Sequence, residues 1–179
     1  MIAIVGVGNL LLSDDGVGIH AVRALHNQPR IASVARLIDG GTIGADLLAE
    51  LWGCAELLIV DAVDAGLPPG STVRMEFSSA GTQPVAARNA HQSGLACMLD
   101  DMRLLGHAPR EVVLVGIQPA TLEVGTDLSP EVAASLPVLV REVMRQVEQW
   151  MATRDPAISA IQNEASLTPR APGHCAADI

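Results

Sequence analysis

The sequence predicts a three-layer α/β domain, with a mostly parallel sheet lying between helices. Three observations carry that expectation. Residues 1–5 and 57–60 are short apolar runs without polar alternation, as strands covered on both faces should be. Segments of helical period fall between them. The chain has 179 residues, of which 49% are hydrophobic and 17% charged, enough for one domain with a proper core and not a disordered composition.

Each element has its own local warrant. The first run, residues 1–5, holds Ile2, Ile4 and Val5 and is closed by Gly6. A polar break over residues 9–15 leads into Val17, His20, Ala21, Ala24 and Leu25, which recur at helical spacing; Ser13 and Asp14 are expected to cap this helix. Residues 33–38 form the second predicted strand, stopped by Asp39-Gly40-Gly41. A short helix is expected over 46–52, followed by a third strand at 57–60 ending at Asp61. Residues 73–77 alternate after Pro68-Pro69-Gly70 and suit an edge strand. Residues 95–105 are expected to be helical, 111–117 a strand and 131–151 a long helix. From Thr153 onward, Pro156, Pro169, Pro172 and Gly173 punctuate a weakly periodic stretch. The expected division is a domain over 1–153 and a flexible tail over 154–179.

Composition removes several function classes. Twenty acids against eleven bases give a net charge of -9, which opposes binding to nucleic acid or to an anionic membrane. Every base is Arg, so neither a Walker lysine nor a Schiff-base lysine is available. Tyr is absent, which excludes phenol chemistry. Cys54, Cys97 and Cys175 form no CxxC pair and no even set, the usage of a reducing compartment. The N-terminus lacks a basic start and a cleavage motif, and no apolar run reaches spanning length. The expectation is a soluble, cytoplasmic protein.

Gly6-Val7-Gly8 after the first strand, with Asp39 closing the second, invites a dinucleotide-binding interpretation. The third glycine of that fingerprint would fall at Leu11, and Asp14 and Asp15 stand where a pyrophosphate needs bare amides. Glycines for a tight strand-to-helix turn are therefore the preferred account. Asp15 and Asp61 each follow a predicted parallel strand, on the edge where open α/β sheets place their sites. Either alone is a helix cap or a turn residue, but two acids on one rim can converge on a cation. His91, at the mouth of a predicted helix, is open to two accounts: a hydrogen-bonded cap, or the imidazole that a transition-metal site would need. Asp39-Gly40-Gly41-Thr42 is equally open, as a turn requiring positive φ or as a place where another polypeptide approaches the backbone. A Cys97–His91 thiol pair is discounted, because residues six apart on a helix do not face each other and Cys97 has apolar neighbours. No GxSxG elbow or HExxH helix occurs.

Five segments in order, residues 6–18 (GVGNLLLSDDGVG), Asp39-Gly-Gly-Thr42, Ile59-Val-Asp61-Ala, His91-Gln-Ser-Gly94 and residues 114–119 (LVGIQP), resemble the hydrogenase maturation endopeptidases. The resemblance covers residues 1 to about 150. It implies a single α/β domain with a twisted five-stranded sheet. It also implies an endopeptidase that removes the C-terminal extension of a nickel–iron hydrogenase large-subunit precursor after nickel insertion. The family's metal-contacting trio falls on Asp15, Asp61 and His91; the first is Glu in some members and the shorter Asp here. Its substrate-recognition segment falls on Asp39, Gly40, Gly41 and Thr42. Two carboxylates and one imidazole leave coordination positions open, which suits nickel arriving on the precursor's own cysteines, with none held tightly at rest. A metal there would polarise the scissile carbonyl or activate a water, and no catalytic general base is assigned. Two rivals stand beside this reading: a nucleotide-binding oxidoreductase, and a non-catalytic binder of the metal-loaded precursor.

Overall fold

The computed structural model describes residues 1–42, 46–77 and 90–154, without the side chains of Asp46 and residues 90–93. The elements in chain order are β1 (Ile2–Val7), α1 (Val17–His26), α2 (Pro29–Ala32), β2 (Ala35–Gly41), α3 (Asp46–Glu50), β3 (Glu56–Ala62), β4 (Thr72–Phe77), α4 (Ala90–Leu104), β5 (Glu111–Ile117) and α5 (Pro130–Arg154). They build a five-stranded sheet in the order β2-β1-β3-β5-β4. The pairs among β2, β1, β3 and β5 are parallel, and β4 runs antiparallel on the outer side of β5. The fold class expected from the apolar runs is the fold observed. Met1–Val147 forms one compact unit; a second begins at Glu148, and its described part is the last turns of α5.

Alternation along the strands assigns the two faces. On one face Ala3, Val5, Val7, Leu57, Ile59, Val112 and Leu114 form a core with Leu47 and Leu51 from the α3 region and Leu95, Met98, Leu99 and Met102 of α4. Val73, Met75 and Phe77 of β4 pack against the same cluster. The opposite face carries Ile2, Ile4, Leu58, Val60, Val113 and Val115, all buried. There α1 packs against β1, β2 and β3. The guanidinium of Arg74, on the α1 side of β4, donates to Gln146 Oε1 of α5 at 2.8 Å, which places α5 in that layer. Each central strand is thus covered on both sides, the physical reason its sequence shows no polar alternation.

Several boundaries differ from expectation. Asp39-Gly40-Gly41 does not stop β2 but is its final stretch: Gly6 pairs with Asp39, and the Gly8 amide donates to the Gly41 carbonyl at 2.8 Å. The glycines permit this, since a Cβ on Gly40 would lie 2.6 Å from Val5 Cγ1 and Gly41 has φ +50°. β1 and β3 each run two residues beyond expectation, to Val7 and Ala62, so Asp61 is inside its strand and not after it. α4 begins at Ala90, five residues early, and the one-turn α2, opened by Pro29 at its first position, was not expected. The capping role expected of Ser13 and Asp14 is not observed. Both belong to a 3-10 turn (Ser13–Gly16), and α1 starts after Gly16 with no side-chain cap. The expected flexible tail, 154–179, lies outside the described residues apart from Arg154.

Candidate active site

Among the described residues, the carboxyl edge of the parallel strands carries the loops of residues 8–16, 63–71 and 118–129. The first reaches the sheet by close backbone contact. A Cβ on Gly18 would overlap the carbonyl oxygens of Val7 and Val60, and one on Gly8, whose φ is +138°, would overlap the carbonyl of Asp15. Only glycine allows the start of α1 to rest on the ends of β1 and β3, which is why the Gly-rich segment has this spacing. The result puts the 3-10 turn carrying Asp15 against β3, the strand carrying Asp61.

Asp15 and Asp61 are both buried, at 6% and 2% exposure. Asp15 Oδ2 accepts the Asn9 amide at 2.8 Å, and Asp61 Oδ1 accepts the Ala62 amide at 2.8 Å. These bonds fix each carboxylate against its own backbone. Asp39 stands on the same edge but across β1, with Gly6 paired to Asp39 on one side and to Val60 on the other. It is exposed, accepts the Gly41 amide at 3.1 Å and makes a loose ion pair with Arg23 at 3.9 Å. Gly40 and Gly41 are half-buried beside it and Thr42 is exposed.

His91 is the second residue of α4, and its side chain lies outside the described residues. The direction of the helix is given by its other end. Leu99 and Arg103 line a small cleft with Phe77, Arg110 and Val112, residues at the amino edge of the sheet. Beyond it the Arg110 amide donates to the Ala55 carbonyl at 2.8 Å, just ahead of β3. A helix of this length spans roughly 22 Å, as does a seven-residue strand, so the first turn of α4 heads for the carboxyl edge. No group of three metal-ligating side chains occurs among the described residues, which exclude the His91 imidazole.

The residues that organise this edge were not evident in the sequence. Asp14, fully buried, accepts the amides of Ala120 at 2.8 Å, Thr121 at 3.1 Å and Ser129 at 2.7 Å. Burial alone would raise its pKa, but the amides of Ser129, Thr121 and Ala120 outweigh it and hold the carboxyl below its usual value. Gln118 does the same for the middle loop: its Oε1 accepts Ala65 and Leu67 amides at 2.8 and 3.2 Å, and its Nε2 donates to Asp64. An adjacent Asp-Asp pair hints that one acid serves structure, but nothing local names partners more than 100 residues away.

The loop after β1 is also unsuited to a pyrophosphate. The amides of Gly8, Asn9, Leu11, Leu12, Ser13 and Asp15 are all bonded to other groups of this chain. Two buried carboxylates occupy the start of α1, where phosphate oxygens would have to come. That is a physical case against the dinucleotide reading.

Comparison with known proteins points elsewhere. The family model described as hydrogenase maturation protease matches residues 19–146. The Hydrogenase 2 maturation protease of Escherichia coli is 32% identical over 165 residues, covering 92% of this chain and 97% of that protein. The hydrogenase expression/formation protein HupD of Rhodobacter capsulatus is 32% identical over 151 residues, 83% of this chain and 72% of that one. Among solved structures, the hydrogenase maturating endopeptidase HybD from E. coli superposes with a TM-score of 0.71 at 29% identity, over 83% of this chain and 92% of that one. The [NiFe] hydrogenase maturation protease HybD from Thermococcus kodakarensis gives 0.68 at 27% identity, over 81% and 97%. Fold and sequence thus agree over most of the chain, which belongs to the hydrogenase maturation protease family, a family of endopeptidases.

Proposed function

We propose that this peptidase removes the C-terminal extension of a nickel–iron hydrogenase large-subunit precursor once nickel has been inserted. In this reading Asp15, Asp61 and His91 contact the nickel that the precursor carries, and Asp39, Gly40, Gly41 and Thr42 bind its polypeptide. The observation that supports it most is the pair of buried carboxylates, Asp15 and Asp61, on one sheet edge where the amides of Gly8, Asn9, Leu11, Leu12, Ser13 and Asp15 are already bonded within the chain. Such an edge is poorly matched to a phosphate and presents carboxylate oxygens to a cation.

The donor chemistry fits a visiting ion. Two carboxylates and an imidazole suit a divalent transition metal and leave positions for thiolates supplied by the precursor. Nickel is thus part of the substrate, and the enzyme holds none at rest. Its role would be to orient the peptide and draw charge from the scissile carbonyl. The exposed Asp39 and the glycine backbone beside it give the incoming chain an open strand end to lie against. A net charge of -9 argues against nucleic acid as a partner, and the expected compartment is the cytoplasm. No helix of the described residues is long and apolar enough to cross a membrane.

The test is mass analysis of the precursor's C-terminus after incubation with the wild-type enzyme. Loss of one defined C-terminal peptide from nickel-loaded precursor, with nickel-free precursor left whole, is the expected result. Binding without any change in mass, or equal cleavage of both forms, contradicts the reading.

A further inference from the structure

The loops after β1 and β5 are zipped together at the carboxyl edge. Leu12 and Gly125 form a parallel bridge, in which the Ser13 amide donates to Gly125 O at 2.8 Å and the Gly125 amide to Leu11 O at 3.0 Å. Ser13 Oγ donates to the Glu123 carbonyl at 3.0 Å, and Asp14 anchors both ends of the 118–129 loop through Ala120, Thr121 and Ser129. The 118–129 loop is therefore held at both ends and in the middle.

What it displays is apolar. Leu11 and Val124 each precede the bridged pair by one residue, so in parallel register their side chains project to the same side. They are 64% and 89% exposed, and Leu122 beside them is 45% exposed. A single exposed apolar side chain is ordinary, but several grouped on one fixed pair of loops make a patch, and a patch is what marks an interaction surface. Charge indicates the visitor. Residues 8–16, 63–71 and 118–129 contain no base, whereas Glu123, Asp127 and Asp64 are exposed acids on them and Asp39 is exposed on the neighbouring strand end.

We propose that Leu11, Leu122 and Val124 form an apolar lip that seats an apolar stretch of the precursor bearing basic residues, and so help to set which precursor is processed. The inference rests on the function proposed above and adds its specificity determinant. The lip adjoins the turn that carries Asp15, so a chain seated on it passes the candidate centre.

The experiment compares steady-state processing of nickel-loaded precursor by wild type, Leu11→Ser/Val124→Ser, Glu123→Gln and, as a control at the amino edge, the 86%-exposed Leu104→Ser. Each change is at an exposed side chain, and unchanged thermal unfolding verifies the fold. The lip variant should raise KM about tenfold, as loss of one or two buried apolar contacts does, with kcat within twofold. Leu104→Ser should match wild type. Wild-type KM should rise with salt, and Glu123→Gln should flatten that rise. A lip-variant KM within twofold of wild type overturns the proposal, as does a lip substitution that instead dissociates a dimer in sedimentation. If wild type itself neither binds nor cuts the precursor, the underlying reading fails. If wild type cuts and the lip variant matches it, the lip alone fails.

Discussion

The carboxylate of Asp14 and the amide of Ser129 lie 115 residues apart in the chain and meet at 2.7 Å. Two further amides, from Ala120 and Thr121, converge on the other oxygen of the same carboxylate. One side chain therefore joins the loop that follows β1 to the loop that follows β5. The neighbouring Asp15 inherits its position from that junction.

Replacing Asp14 with Ala should strand three amides and cost about 3 kcal/mol, seen as a fall of about 10 °C in the midpoint of thermal unfolding. The pH dependence has a defined sign. The folded pKa is below the unfolded value of 3.8, so the carboxylate's contribution is complete above 3.8 and is lost as pH falls through the lower folded value. Asp14→Asn should remove that segment of the acid-unfolding curve. An unchanged curve would contradict the role given to Asp14.

Gly18→Ala should cost roughly 3 kcal/mol or more, because its Cβ would meet the backbone carbonyls of Val7 and Val60 and neither can retreat without breaking the sheet. Chemical unfolding measures this directly. A variant as stable as wild type would show that α1 does not rest on the strand ends as described.

Much of the fold was legible in the sequence, and what escaped did so for identifiable reasons. β1, β3 and β5 announce themselves because both faces are covered, and β4 because it alternates on an edge. The end of β2 was misread because Gly40 and Gly41, ordinarily strand terminators, here let the strand continue, Gly40 by its clearance over Val5 and Gly41 by its φ of +50°. Asp15 and Asp61 were singled out by strand-end position and again by the family resemblance. Asp14 passed for a helix cap because its partners, Ala120, Thr121 and Ser129, become neighbours only when the sheet closes.

His20 offers a second pH test. Its Nε2 is buried and has no hydrogen-bond partner among the described residues. Burial, then the charge of Arg23, lowers its pKa below 6.5, while Asp127 opposes them. A lowered folded pKa means that the unfolded chain takes up the proton first. Stability is then full above pH 6.5 and declines as pH falls from there through the folded value. His20→Phe should flatten unfolding free energy across that window, and an unchanged slope would assign the dependence to another group.

The central claim is that Asp15, Asp61 and His91 act on the precursor's nickel, and the direct measurement is the mass of nickel-loaded precursor after incubation with Asp61→Asn and His91→Gln. Asparagine keeps an acceptor for the Ala62 amide, so the first variant should fold while losing its charge. Both are expected to leave the C-terminal extension in place under conditions where wild type removes it completely. Wild-type cleavage by both variants would contradict the account.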